Sequence, residues 1–161
     1  MRIIMACATM MALVVASAKA QNAATPAKDT VTDATIINLC GGRLVKMFAQ
    51  CGTPQDLQVK RGDTPDEDDV LCVYGSYGFR VRDKVIRTCF FWSDWKGPIR
   101  GIKIGDTREN VVKVLGKAPS TDKDKDGAIT AYGYDLKDLD ADFFTNFDKD
   151  GKVWRVEVSL K

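Results

Sequence analysis

The chain contains no histidine in 161 residues. That excludes imidazole acid–base catalysis, Ser-His-Asp triads and histidine-ligated metal centres. No C-x-x-C pair occurs, which removes the common cysteine zinc sites and the dithiol redox motif. No glycine-rich phosphate loop is present, because Gly41-Gly42 and the Tyr-Gly pairs lack the pattern that should follow. Long apolar runs are also missing. The longest, Ile3 to Ala16, is shorter than the ~20 residues a membrane-spanning helix needs.

What stands at the N-terminus is a leader. Arg2 supplies a positive start, the apolar run follows, and Ala18-Lys19-Ala20 is an A-x-A cleavage signal, so residues 1–20 read as a signal peptide and the mature chain as starting at Gln21. Without residues 1–20, Lys plus Arg falls from 24 to 22 and equals Asp plus Glu at 22. A neutral mature chain with no basic surplus gives no reason to expect a nucleic-acid partner. No other segment could span a bilayer, so no integral membrane segment is expected after cleavage. The localisation implied is periplasmic or secreted, in a bacterium.

Cys7 leaves with the leader. Cys40, Cys51, Cys72 and Cys89 remain, and an even number in an exported chain reads as two disulfides. Four cysteines allow three pairings, and spacing alone does not choose among them.

Residues 21–32 are small and polar, as in a flexible N-terminal segment. From Asp33 to Cys51, Ile36, Ile37, Cys40, Leu44, Met47, Phe48 and Cys51 recur at helical spacing, and the glycine pair divides the segment into two short helices. Gly52-Thr53-Pro54 stops the second. Residues 55–69 read as a charged loop, and Val70 to Trp92 as strands turned at Asp83-Lys84. After a link punctuated by Gly97-Pro98, the order recurs. Asp106 or Thr107 caps a helix with Glu109 in its first turn and Val111, Val112, Val114 and Leu115 as its apolar stripe. Gly116 and Pro119 end it. A charged loop, a strand and a hairpin turned at Asp150-Gly151 follow.

The expected fold class is therefore α+β. It comprises two tandem modules, 33–95 and 96–161, each with one or two short helices packed on a three-stranded antiparallel sheet. Alternation from Ile86 sends Phe90 and Trp92 toward the helix. In the second hairpin it sends Trp154, Val156, Val158 and Leu160 the same way, leaving Arg87, Phe91 and Arg155 on the other face.

Two constellations carry possible chemistry. Asp122-x-Asp124-x-Asp126-Gly127 opens like a calcium loop, but Gly133 occupies the position of the bidentate glutamate, so no metal site is expected. The other acids lie in charged loops, without the apolar surroundings that tune a catalytic carboxylate. Neither a catalytic residue nor a cofactor is assigned. The aromatics exceed what one small core demands, and aromatics with arginine dominate protein-binding hot spots. Tyr74, Tyr77, Arg87, Phe91, Trp95, Tyr132 and Arg155 are the candidate contact residues for a protein partner.

Ile104-Gly105-Asp106-Thr107 through Val111, Leu115-Gly116 and Pro119 resembles the helix motif of the BamE/SmpA-like envelope proteins, with Asp106 where those proteins usually carry methionine. The tandem arrangement is similar to that of the secreted β-lactamase inhibitor proteins. Cys40-Gly41-Gly42 through Cys51-Gly52-Thr53-Pro54 and Tyr74-Gly75 resembles a family of small secreted bacterial Cys-Gly proteins. These resemblances imply paired modules with a concave, aromatic-rich binding surface. The function expected is a non-enzymatic binding module, an inhibitor or immunity protein against an envelope-acting enzyme or toxin. The alternative is a soluble accessory or scaffold of outer-membrane or envelope assembly.

Overall fold

Short runs of β-branched and aromatic residues pair into one continuous antiparallel sheet, in a computed structural model whose described residues are 31–161. The expected signal peptide and residues 21–30 of the N-terminal segment lie outside the described residues. The helices are α1 (Asp33–Ile37), α2 (Leu44–Cys51) and α3 (Arg108–Leu115). The strands are β1 (Asp56–Lys60), β2 (Asp69–Val73), β3 (Tyr77–Arg82), β4 (Val85–Trp92), β5 (Ser120–Lys123), β6 (Ile129–Leu136), β7 (Ala141–Phe147) and β8 (Val153–Leu160), with a short 3-10 turn at Pro65–Glu67.

The strand order is β1-β2-β3-β4-β8-β7-β6-β5. Strands β1 to β4 form one meander and β5 to β8 another. Their last strands pair antiparallel, setting Cys89 opposite Val158 and Phe91 opposite Val156. This overturns the expected pair of modules with separate three-stranded sheets: the chain is mostly β, with a single eight-stranded sheet and three short helices. Two features of the sequence misled. Strand β5 is wholly polar and β1 carries only Leu57 and Val59 within a charged stretch, so both read as loops, and every residue in both is exposed. An edge strand held mainly by backbone hydrogen bonds needs no apolar face, and charge there discourages pairing with other chains. At the other extreme, Thr88, Cys89, Phe90 and Phe91 are consecutive and all buried, the mark of a strand covered on both faces.

One face of the sheet is covered. Ile36 and Ile37 of α1, Met47 and Cys51 of α2 and Val111 of α3 pack on Cys72, Phe79, Val81, Cys89, Phe91, Phe143, Val156 and Val158. Ile99 and Ile102 join them from a two-residue turn in which Arg100 and Gly101 both have positive φ. Burying each such side chain contributes on the order of 1.5–3 kcal/mol.

Bulges decide which residues reach this core. In the β3–β4 pairing Val81 faces Ile86 but Arg80 faces Thr88, so Arg87 is an extra residue. In the β7–β8 pairing Phe147 faces Val153 but Asn146 faces Arg155, so Trp154 is extra. Side-chain alternation reverses across each. Ile86 is buried as expected, but beyond the bulge Cys89 and Phe91 join the covered face, and Phe90 and Trp92 turn to the other. Trp154, expected in the core, is 44% exposed.

Each meander is clipped to the segment ahead of its helix. Gly41 N donates to Ile86 O and Ile86 N to Gly42 O, while Gly105 N donates to Val153 O and Val153 N to Asp106 O. Gly41 and Gly105 hold φ of 80° and 92°, which lets the chain turn from the strand edge into the helix. Thr107 caps α3 by accepting from Asn110 N at 3.3 Å. At the far ends the peptide carbonyls receive tyrosine hydroxyls: Tyr74 Oη donates to Gly52 O at 3.0 Å and Tyr134 Oη to Gly116 O at 3.1 Å. Helix ends leave orphan carbonyls, and these phenols engage the residue that closes each helix.

Gly116 combines φ 83° with ψ −175°, a conformation almost restricted to glycine, and nothing lies within 4 Å of a Cβ placed there. Gly116→Ala should therefore lose about 1–3 kcal/mol in urea denaturation through backbone strain alone. Wild-type stability in that variant would refute the reading.

Candidate functional site

Among the described residues, no element covers the face away from the helices. Its central row runs Gly78–Phe90–Glu157–Phe144–Gly133 across β3, β4, β8, β7 and β6. The glycines are required by the aromatics: a Cβ on Gly78 would lie 2.7 Å from the Trp92 ring and one on Gly133 would lie 3.0 Å from Phe144. A Cβ on Gly133 would also clash with Ser120 Oγ.

Charge surrounds this row. The Arg80 guanidinium stands 5.3 Å from the Phe90 ring centre and that of Arg155 5.7 Å from it, so two cations cover one ring. Arg155 also stacks at 4.9 Å on Trp154 and reaches Glu157 at 3.3 Å. Its Nε, and Asn146 Nδ2 directly across the strand pair, are buried without a hydrogen-bond partner. Beside Arg80 is a depression of about 350 Å³ lined by Asp69, Arg82, Arg87, Thr88, Ser159 and Leu160. Arg82 is committed to Asp69 through two 2.8 Å contacts, which hold the Asp69 carboxyl below its ordinary range. Among the described residues, Arg80 and Arg87 make no such pair. Asp135 and Asp142 lie opposite each other on the β6–β7 half, where Asp135 is paired with Lys161 Nζ at 2.8 Å.

The residues expected to form the contact surface divide sharply. Arg87 is exposed at its bulge and Arg155 lies half-buried on the open face. Phe91, expected outside, is fully buried beneath Trp95, their ring centres 4.9 Å apart. Tyr74 and Tyr77 stack at 5.2 Å and meet Phe79 edge-on, inside the core. Trp95 is half-buried against Tyr77 and Phe91. Tyr132 packs on Phe147 at 4.9 Å beneath the helical layer. Five of the seven thus serve the covered side. Sequence reasoning missed Arg80, Phe90, Trp92, Phe144, Trp154 and Glu157. The available signal was the pair of glycines opposite aromatic strands together with the doubly buried run in β4.

Cys40, Cys51, Cys72 and Cys89, expected to form two disulfides, are unbonded in the structure and unequally placed. Cys40 Sγ and Cys89 Sγ are 3.1 Å apart, while Cys51 and Cys72 are buried elsewhere in the core. Among the described residues no group of three or more potential metal ligands converges. The calcium-like loop is a hairpin turn whose Asp124 carboxylate accepts from Asp126 N and Ala128 N, both at 2.9 Å. Asp148 repeats this arrangement with Asp150 N and Lys152 N. No helix among the described residues is long and apolar enough to cross a membrane.

No family model matches the sequence, and no curated protein matches it. Solved structures similar in fold include an extracellular protein containing an SCP domain from Bacillus anthracis, at 14% identity and a TM-score of 0.57 over 78% of this chain and 45% of that one. A DUF4309 family protein from Bacillus subtilis matches at 21% identity and 0.51, over 74% and 78%. A cysteine-rich secretory protein from Staphylococcus aureus matches at 12% and 0.50, over 77% and 44%. The chain spans less than half of the first and third. At these identities the likeness is one of fold. Together with the continuous sheet, it displaces the resemblance to BamE/SmpA-like and β-lactamase-inhibitor double modules.

Burial raises the Cys72 thiol to about 11 and moves the Tyr74 and Tyr77 phenols upward as well. A folded-state pKa above the unfolded one favours folding while the group stays protonated. Under reducing conditions, stability should thus hold below pH ~9 and decline as pH rises through about 11. Denaturant melts across that range check it, and a flat profile would contradict the burial of these groups.

Proposed function

We propose that this is an exported, non-enzymatic protein-binding module whose contact surface is the open sheet face centred on Phe90, Arg155 and Trp154. The observation that carries the reading is the composition of that face: arginines stacked on aromatics, with Trp154 projecting at a bulge. Such side chains combine large contact area with directional hydrogen bonds and supply most interface hot spots. The half-buried Arg155 side chain, held between Phe90, Trp154 and Glu157, supports it, because a guanidinium already fixed in place loses little freedom when it meets a partner. The leader in the sequence supports export.

The finer reading is an inhibitor or immunity protein, which acts by occupying an envelope-acting enzyme or toxin. A sheet face with no acid–base set of its own suits blocking better than turnover. A soluble accessory of envelope assembly would use the same surface and differs only in what its partner does.

The test is capture of partners from envelope extract by wild type, Trp154→Ser, Arg155→Ala and, as a control remote from the face, Val45→Ser on α2. Loss of a hot-spot residue, worth about 2 kcal/mol, should weaken retention of the specific partner about 30-fold while each variant remains folded by circular dichroism at the assay temperature. The control should bind as wild type. Equal retention by all four proteins would sink the proposed surface. If the isolated partner is an enzyme or toxin whose activity falls on addition of the protein, the partner role is inhibition; unchanged activity favours the accessory role.

A further inference from the structure

Cys40 sits in the turn between α1 and α2, and Cys89 lies at the middle of β4. Their sulfurs are 3.1 Å apart, already in contact, whereas a disulfide bond measures about 2.05 Å. The pair lies over the β4–β8 junction. Cys40 Sγ is 3.6 Å from Val158 O and 3.9 Å from Arg87 O, and Cys89 Sγ is 3.4 Å from Ile36 O.

A second observation shows that packing does not require sulfur here. Cys40 precedes Gly41, whose N–H bonds Ile86 O, and Cys89 lies three residues beyond Ile86. In the other half Ile104 precedes Gly105, whose N–H bonds Val153 O, and Val156 lies three residues beyond Val153. Ile104 and Val156 both belong to the core. The hydrogen-bonded frame that holds two thiols on one side holds two aliphatic side chains on the other.

We infer that Cys40 and Cys89 are a built oxidation site, closed to a disulfide by thiol–disulfide exchange with an oxidised dithiol protein or another disulfide donor. The assignment stands whether or not the open face binds a protein. Cys40 is the entry sulfur because it is partly exposed, while Cys89 is fully buried. The Cys89 thiol, donating to Cys40, lowers the Cys40 pKa, while burial keeps Cys89 protonated. The Cys40 thiolate attacks one donor sulfur, breaks the donor's S–S bond and releases a donor thiolate. Cys89 then loses its proton, attacks Cys40 Sγ in the mixed disulfide and expels the second donor thiolate. Two electrons pass from the cysteine pair to the donor, which ends as a dithiol. The product fastens the α1–α2 turn onto the central strand and closes a long loop, since the two residues are 49 apart.

The test uses the full mature chain, reduced and then exposed to oxidised glutathione. Intact mass should fall by about 2 Da for each bond formed. Digestion without reductant should yield the Cys40 peptide joined to the Cys89 peptide. The oxidised protein should melt roughly 5–15 °C higher than the same protein in dithiothreitol. The double variant Cys40→Ile with Cys89→Val, which copies the other half, should fold and lose this shift. Recovery of Cys40 as a free thiol, or joined to Cys51 or Cys72, would overturn the assignment. So would a double variant that keeps the full redox-dependent shift.

Discussion

The structure depends on the pairing of β4 with β8. Each meander, taken by itself, ends on a strand whose second edge is unsatisfied. Joining the two edges removes both exposures and places Cys89, Phe91, Val156 and Val158 in the most protected row of the sheet. Long-range pairing of this kind costs loop-closure entropy, because Thr88 and Ser159 are far apart in the chain. The compensation is a core continuous from α1 to Phe143, which neither half could assemble separately. The outer edges show the complementary solution: β1 and β5 are short strands whose residues are all exposed, with charge at both ends of β1 and along β5.

Both faces of the sheet follow from that junction. With the helices, the Ile99–Ile102 turn and the aromatic cluster of Tyr74, Tyr77, Phe79 and Trp95 on one side, the opposite side has no covering element among the described residues. It is protected instead by its own side chains. Phe90 is buried by arginines rather than by a second layer, and Trp92 and Phe144 lie across glycines. A ring covered by guanidinium groups stays shielded from water while its cover remains free to make hydrogen bonds. That cover of guanidinium groups is what supports the proposed contact surface on this face.

Several elements are legible in the sequence because they are local. The glycine pair divides α1 from α2, Thr107 caps α3, Asp83-Lys84 turns a hairpin, and Gly52 and Gly116 end their helices, each for reasons contained within a few residues. The candidate site was less legible. Counting alternation from Ile86 gave the right face for Ile86 and the wrong one for Phe90, Phe91 and Trp92, because Arg87 is a bulge residue. No feature of Arg87 itself announces that it has no partner of its own on β3. Trp154 was misplaced for the same reason. The polar strand β1 was hidden because its conformation is imposed by β2.

The amino-acid sequence by itself determined composition-level and local properties: a chain without histidine chemistry, the spacing of its cysteines, short capped or glycine-terminated helices, and hairpins with identifiable turns. Those follow from backbone sterics and near-neighbour hydrogen bonds. Tertiary structure alone decided that the two halves share one sheet, that the bulges at Arg87 and Trp154 exchange inside for outside, and that Cys40 meets Cys89 rather than Cys51 or Cys72. Each depends on the register between strands remote in the chain, and a side-chain period of two converts a single unpaired residue into a change of face.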